Sequence, residues 1–165
     1  MKTNRTHSVP SGAGRWLGLA LWLALSFLPA WSGARFVPGH WYAQLQPPPL
    51  TPPAWVFAPV WTLLYALMGL AAWLVWQRAG LVAAARPLAL FGLQLALNGL
   101  WSYFFFGLQR PGLALMDILA LWLALLATLI AFRRSVPPAG VLLLPYLLWV
   151  TFAVYLNAGF WWLNR

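Results

Sequence analysis

Amide and aromatic side chains recur at helical spacing in three apolar stretches of this 165-residue chain. In the third stretch a helix would place four such residues on one face, namely Gln94, Asn98, Trp101 and Phe105. A later stretch repeats the pattern with Tyr146, Trp149, Ala153, Leu156, Asn157 and Phe160, and an earlier one has Trp61 and Tyr65 one turn apart. Such faces could form a cavity with flat aromatic walls and a few hydrogen-bonding groups. That chemistry suits a large, planar, mostly apolar ligand.

The alternative for these aromatic faces is ordinary core packing, which is the commoner role of aromatic side chains in a helical bundle. The amides favour the cavity, because Gln94, Asn98 and Asn157 would be costly to bury unless they met each other or a ligand. Both interpretations need helices that turn these faces inward.

Other reactive groups are few. Asp117 is the only acid, so the chain cannot supply a pair of carboxylates for acid/base catalysis. It lies near the start of an apolar stretch, where pairing with Arg110 is the expected role and proton coupling the alternative. His7 falls in the amino-terminal tail and His40 in a loop, where haem ligation by His40 is the alternative to an exposed polar residue. With no cysteine, metal cluster or phosphate loop in the sequence, we expect no metal site and no conventional enzyme.

The composition indicates that the elements carrying these residues lie in lipid. Hydrophobic residues make up 63% of the chain and charged residues 7%, with 13 tryptophans. Disordered chains need far more charge, and soluble domains carry roughly a quarter charged residues. The net charge of +9 comes from basic residues scattered singly or in pairs, so no basic face for nucleic acid can form.

Five apolar stretches are long enough to cross a bilayer as helices, which predicts an all-α integral membrane protein with a five-transmembrane-helix bundle. The predicted spans are 16–34, 55–76, 88–107, 113–132 and 141–163, and residues 1–15 form a tail. Prolines 29, 59 and 145 predict local kinks or helix ends.

The basic residues predict orientation. Seven of the ten fall on the amino-terminal side of the bundle, which favours a cytoplasmic amino terminus. A cleaved signal peptide is the alternative for the first span, because a basic start and the small residues 32–34 flank its apolar core.

The longest connection, residues 35–54, holds six prolines and almost no charge. Proline stiffens this segment, while Trp41, Tyr42 and Leu45 give it apolar surface that should pack on the mouth of the bundle. We expect a lid over the cavity. The alternative is an interfacial belt in which Trp and Tyr only anchor the protein at headgroup depth.

A stripe of small residues lies opposite the amide face of the third span. At about 100° per residue the two stripes point in nearly opposite directions, and the small one consists of Ala89, Gly92, Ala96 and Gly99. Small residues allow close helix approach in lipid, so we expect a homodimer contact here. Packing within one chain is the alternative.

Several segments, in this order, resemble the translocator protein family, whose members are also called tryptophan-rich sensory proteins or peripheral-type benzodiazepine receptors. The similar segments are WYAQLQPPPLTPPAWVFAPVWTLLY from Trp41, QLALNGLWSYFFFG from Gln94, Asp117, and PYLLWVTFAVYLN from Pro145. The resemblance covers residues 16–163.

The resemblance implies a five-helix bundle, often dimeric, that binds porphyrin, haem or other tetrapyrroles as ligands and requires no cofactor. The implied pocket residues are Trp41, Trp55, Trp61, Tyr65, Asn98, Trp101, Trp149 and Ala153. Trp61 and Trp149 match tryptophans implicated in light-dependent porphyrin breakdown by some bacterial relatives. Indole rings beside a photosensitiser are oxidisable, so these two would be the catalytic residues of such a reaction.

Departures from the animal members narrow the expected ligands. Pro47 and Thr51 stand where animal members have a Lys and a His, and Ala158 and Trp162 replace the Tyr and basic residue of the family's sterol pattern. We therefore do not expect cholesterol to bind. The short tails suit a bacterial member located in the cell envelope.

The resulting functional hypothesis is a membrane tetrapyrrole-binding protein that senses, sequesters or transports its ligand in stress or pigment responses. The alternatives are an enzyme that degrades porphyrin in light, and a structural or regulatory subunit whose aromatic residues only pack.

Overall fold

The computed structural model describes residues 12–165, which contain long helices and no strand. Five helical segments within this range are long and apolar enough to cross a membrane. We call them the first to fifth spans: Ala13–Arg35, Ala54–Ala83, Ala85–Gly107, Pro111–Ser135 and Pro137–Leu163. The predicted all-α, five-span membrane fold is therefore confirmed. His7 and most of the predicted tail 1–15 lie outside the described residues.

Two spans are broken where proline interrupts the backbone ladder. The first span consists of helices Gly12–Ser26 and Leu28–Arg35, with Pro29 in the first turn of the second helix. The fifth consists of Pro137–Leu142 and Leu144–Leu163, with Pro145 placed in the same way. Proline lacks the N–H that a helix interior needs, but the first turn of a helix does not use that donor. The predicted breaks at these two prolines are confirmed.

The ends of the spans differ from the predicted ones by up to seven residues. The second span is the largest case, because helix Phe57–Ala83 continues beyond the predicted end at Trp76. Gln77 and Arg78, which follow the predicted end, remain helical, and the helix is interrupted only at Gly80, whose φ of 69° is accessible to glycine. Polar residues near the membrane surface therefore did not mark the helix end.

The spans close into a ring in the order first, second, fifth, fourth, third. Its core, in the half near the amino ends of the third and fifth spans, is formed by Met68, Phe91, Leu125, Phe132 and Leu143, all nearly inaccessible. Gly69 allows the first and second spans to meet closely, because a Cβ there would lie 2.9 Å from Cα of Leu23. Large apolar side chains such as Leu21, Leu63, Leu123 and Leu148 point outward, as expected for a surface solvated by lipid.

The stripe of small residues divides between two environments. Gly99 packs on the first span of the same chain, where the Ser32 hydroxyl donates a 2.7 Å hydrogen bond to the Gly99 carbonyl. For Gly99 this packing favours the alternative of a contact within one chain, although the residue is only half-buried. Ala89, Gly92 and Ala96 remain exposed, and the last two line a shallow groove between the first and third spans.

Candidate ligand-binding cavity

A cavity of about 950 Å³ occupies the half of the ring under the loop that joins the first and second spans. Twelve of the residues that line it are aromatic: Phe27, Phe36, Tyr42, Phe57, Trp61, Tyr65, Trp101, Phe105, Phe106, Trp149, Phe152 and Phe160. No charged side chain occurs among the described residues that line it. A space of this size and polarity is at the upper end of the range for small-molecule sites.

Asn98 connects three spans at the floor of the cavity. The Tyr65 hydroxyl donates to Oδ1 of Asn98 at 2.9 Å, and Nδ2 of Asn98 donates to the Tyr146 hydroxyl at 2.9 Å. All three residues are buried. The amide keeps one acceptor position and one donor position beyond these bonds. Asn98 therefore fixes the two phenols and still has capacity to bind a ligand that reaches it.

A second buried amide joins the third, fourth and fifth spans. Oδ1 of Asn157 accepts a 2.8 Å hydrogen bond from the indole Nε1 of Trp101, and its Nδ2 donates to the Pro111 carbonyl at 2.8 Å. The hydrogen bond from the Trp101 indole to Asn157 holds the Trp101 ring against the cavity. The predicted faces of the third and fifth spans thus meet, and two of their amides, Asn98 and Asn157, are satisfied by phenol, indole and backbone groups.

Aromatic stacking orders the walls. Trp61 stacks on Tyr65 with centroids 5.3 Å apart and meets Tyr146 edge-on at 6.0 Å. Across the cavity Trp101 stacks on Phe105 at 5.0 Å. A single π-helical turn, Tyr103–Gly107, ends the third span and carries Phe105 into this contact. Such turns often occur at functional sites, where they re-aim side chains.

The structure brings six of the eight predicted pocket residues to the cavity: Trp61, Tyr65, Asn98, Trp101, Trp149 and Ala153. Trp41 and Trp55 do not line it. In the short helix His40–Ala43, Trp41 packs edge-on against Phe105 with ring centroids 5.9 Å apart, and the neighbouring Tyr42 reaches the cavity instead. Trp55 is 75% exposed, because the turn Ala54–Val56 directs it away from the bundle.

Two predicted polar roles are corrected. Gln94 shares the amide face but lies below the cavity, fully buried, and its amide nitrogen and oxygen have no hydrogen-bond partner within the described chain. Asp117 is also buried, and its Oδ2 has no partner, whereas Arg110 is exposed. The expected pairing of Asp117 with Arg110 is wrong, because Asp117 lies in the second turn of the fourth span on its inward face.

Sequence reasoning missed the part of the wall contributed by the first span and the loop. Phe27, Ala30 and Gly33 of the first span line the cavity, as do Val37 and Pro47 of the loop. Apart from Phe27, these residues are small or aliphatic, so the amide and aromatic pattern gave no signal for them. Phe27 lies in a stretch that has no Asn or Gln. The loop covers one side of the cavity, as expected of a lid.

Metal chemistry has no support in the described residues. Over residues 12–165 no group of three or more His, Cys, Asp or Glu side chains is close enough to hold a metal ion. His40 is exposed and does not line the cavity, so it is not placed to ligate a haem inside it.

The fold and the cavity together define a class: a five-span helical membrane protein with an internal aromatic cavity beneath a proline-rich loop. The sequence profile of the TspO/MBR family matches residues 16–163. The chain belongs to this family.

Curated relatives agree with this assignment over most of the chain. The translocator protein of Bos taurus is 40% identical over 151 residues, which cover 88% of this chain and 89% of the relative. The tryptophan-rich sensory protein of Cereibacter sphaeroides is 43% identical over 142 residues, covering 86% and 88%. The tryptophan-rich protein TspO of Chlorobaculum tepidum is 41% identical over 148 residues, covering 86% and 92%.

Proposed function

We propose that this protein binds a tetrapyrrole, a porphyrin or haem, in the cavity and acts as a membrane sensor, sequestering protein or transporter for it. The observation that carries the proposal is the roughly 950 Å³ cavity with walls of aromatic rings and one partly free amide at its floor. Flat rings favour a planar ligand because offset stacking and edge contacts add to the apolar area that is buried.

The distribution of charge further restricts how such a ligand would lie. Because the described lining has no charged side chain, the carboxylates of a porphyrin would remain at the open side of the cavity, where water and headgroups solvate them. Arg35, at the end of the first span, is exposed and stacks over Trp31 at 5.4 Å. Arg35 directly precedes the lining residues Phe36 and Val37 in the chain, so it is a positive charge beside the cavity for the carboxylates of such a ligand.

A titration of the protein in lipid nanodiscs with protoporphyrin IX, followed by the porphyrin absorbance, tests the proposal. Trp61→Leu and Trp149→Leu should each weaken binding about tenfold, since an aromatic contact contributes about 0.5–1.5 kcal/mol beyond the apolar area lost. Trp16→Leu is the matched control, because Trp16 is 71% exposed and lies outside the lining. Equal affinity in all four proteins would refute the assignment of the cavity.

Light-dependent degradation of the bound porphyrin is a second candidate, supported by two oxidisable indoles, Trp61 and Trp149, in the cavity wall. The reaction would need light and dioxygen as the oxidant, and loss of porphyrin absorbance would measure it. Trp61→Phe and Trp149→Phe should slow the loss while keeping an aromatic wall. The same rate in the dark, or in both variants, would exclude this activity.

We further propose a homodimer through the exposed part of the small stripe, Ala89, Gly92 and Ala96, and a cytoplasmic amino terminus in a bacterial envelope membrane. The exposure of these three residues supports the first proposal, and the excess of basic residues on one side of the bundle supports the second.

A further inference from the structure

The first and second spans are closely packed in the half of the bundle away from the cavity. Leu23 contacts the second span at Gly69, where a Cβ would lie 2.9 Å from the Leu23 backbone. One turn higher, Phe27 meets Tyr65 with ring centroids 5.4 Å apart. Spacings of three or four residues therefore define the face that each span turns toward the other.

Above Phe27 and Tyr65 the upper helix of the first span, Leu28–Arg35, makes few close contacts with the second span. Continuing the same spacing, the next residues are Ala30 and Gly33 on the first span and Thr62 and Ala58 on the second. All four line the cavity. Ala58 and Thr62 are exposed, although lower residues of the same face are buried. The cavity therefore extends into a cleft between the two spans, and this cleft has small side chains on both walls.

The separation has a local cause in the first span. Its helix is interrupted at Phe27 and restarts with Pro29 in the first turn, which changes its direction. The Ser32 hydroxyl then bonds the Gly99 carbonyl at 2.7 Å and fixes this upper helix to the third span. The upper helix packs mainly on the third span and leaves the second span uncovered beside it.

The loop above the cavity, by contrast, is fastened to the fifth span. Asn164 forms a pair of hydrogen bonds with the backbone of Gln46: its Oδ1 accepts from the N–H at 2.8 Å and its Nδ2 donates to the carbonyl at 3.1 Å. The Tyr155 hydroxyl donates to the Pro49 carbonyl at 3.0 Å. These bonds hold two points of the loop to one helix.

Packing strengthens the same attachment. Gly159 of the fifth span lies against Pro48, and a Cβ at Gly159 would overlap the proline ring. Prolines also limit the conformations that the loop could adopt if it were released. Opening the loop would break three hydrogen bonds and this contact, whereas among the described residues no hydrogen bond joins Leu28–Arg35 to the second span.

We propose that the ligand reaches the cavity sideways from the bilayer, through the cleft between Ala30 and Gly33 of the first span and Ala58 and Thr62 of the second, while the loop stays in place. The inference rests on the proposed function, because it assumes that the cavity holds a lipid-soluble ligand. The walls suit such passage: the Thr62 hydroxyl already donates to the Ala58 carbonyl at 2.8 Å, so the cleft presents small, mainly apolar surfaces.

Binding kinetics with protoporphyrin IX delivered in vesicles give the first test. The double variant Gly33→Leu, Ala58→Leu narrows the cleft, and a Cβ at Gly33 has room, since its nearest neighbour is Ser102 Oγ at 3.8 Å. The association and dissociation rates should both fall about tenfold or more, because a barrier on the path acts in both directions. Ala120→Leu, which adds the same side chain at an exposed position of the fourth span outside the lining, should leave both rates unchanged.

A disulfide between Gln46→Cys and Asn164→Cys gives the second test by locking the loop to the fifth span. The chain has no cysteine of its own, so no native thiol competes with the two introduced cysteines, and reduction of their disulfide frees the loop again. The association rate should be the same before and after reduction. Slower association in the oxidised protein, comparable with the effect of the two leucines, would overturn the proposal in favour of access through the loop.

A spin label at Thr62→Cys tests the cleft without any ligand. Collisions with lipid-soluble oxygen should be nearly as frequent as at Ala120→Cys and well above those at Met68→Cys, a position with no exposed surface. If the label at Thr62 is shielded from oxygen as well as the label at Met68, the lateral route is overturned, whether or not the protein binds porphyrin. An accessible label in a protein that binds no porphyrin would refute the proposed function and leave the cleft established.

Discussion

The hydrogen bonds of Asn98 should contribute measurably to stability, and a double-mutant cycle can isolate one of them. Asn98→Leu keeps a side chain of similar size and removes both the acceptor of the Tyr65 hydroxyl and the donor to the Tyr146 hydroxyl. Tyr65→Phe removes only the first of these bonds. The two substitutions share one hydrogen bond, so their effects should not add.

The expected size follows from the location of the network. Both bonds are 2.9 Å long and join different spans, and the residues are at most 6% exposed. Hydrogen bonds between membrane helices contribute about 0.6 kcal/mol on average and up to about 1.7 kcal/mol. Asn98→Leu should therefore lower the free energy of unfolding by about 1–3 kcal/mol, and Tyr65→Phe by about half as much.

Reversible unfolding in mixed micelles of increasing dodecyl sulfate fraction, followed by tryptophan fluorescence, measures these free energies. The coupling energy between the two substitutions should be about 0.6–1.7 kcal/mol. Tyr155→Phe is a matched control, because it removes the same atom from an exposed bond to the Pro49 carbonyl and should cost no more than about 0.5 kcal/mol.

Two results would refute this reasoning. If Asn98→Leu is as stable as the unmodified protein, the buried amide network does not stabilise the bundle. If the single effects add fully, Tyr65 and Asn98 are not coupled, and the bond between them does not form in the membrane.

The remaining predictions concern packing, charge and assembly. Gly69→Val should lower the free energy of unfolding by about 1–3 kcal/mol, because its side chain would overlap Leu23; Gly39→Val, at an extended loop position with open space around it, is the control, and equal effects would argue against the close contact. Asp117→Asn should leave the thermal unfolding midpoint unchanged or raise it, since Oδ2 of Asp117 has no partner to lose. A midpoint lower by several degrees would show that Asp117 forms an ion pair after all, and would contradict this prediction. Cysteines at Gly92 and Ala96 should crosslink two chains in the membrane, and monomers under oxidising conditions would contradict the proposed dimer.

The helix faces that carry the cavity residues could be predicted from the sequence. The helical period and the apolar length of a span are properties of one segment and do not depend on its neighbours. Trp61, Tyr65, Asn98 and Trp149 share the spacing that turns them inward, and the structure places all four at the cavity. Trp55 is also an aromatic residue in an apolar stretch, but it lies in the single turn Ala54–Val56 that begins the second span, where a small change in backbone direction leaves it exposed. Period alone does not predict such a turn.

Polar pairing could not be derived in this way, because it depends on which helices become neighbours. Asn98 and Asn157 are satisfied by Tyr146 and Trp101, which lie 48 and 56 residues away in sequence. Gln94 is on the same face as Asn98, yet it falls below the cavity floor and finds no partner among the described residues. Asp117 likewise turns inward and away from the nearby Arg110.

The sequence by itself determined that lipid is the solvent, that five helices cross it, and which face of each helix is aromatic, because these follow from hydrophobic length and the 3.6-residue period. Only the tertiary structure decided where the faces separate. The cleft beside Ala30 and Thr62 exists because the break at Pro29 and the bond from Ser32 to Gly99 direct the first span toward the third. The loop stays closed because Asn164, near the other end of the chain, bonds Gln46. Contacts between segments so distant in sequence arise only from how the helices pack.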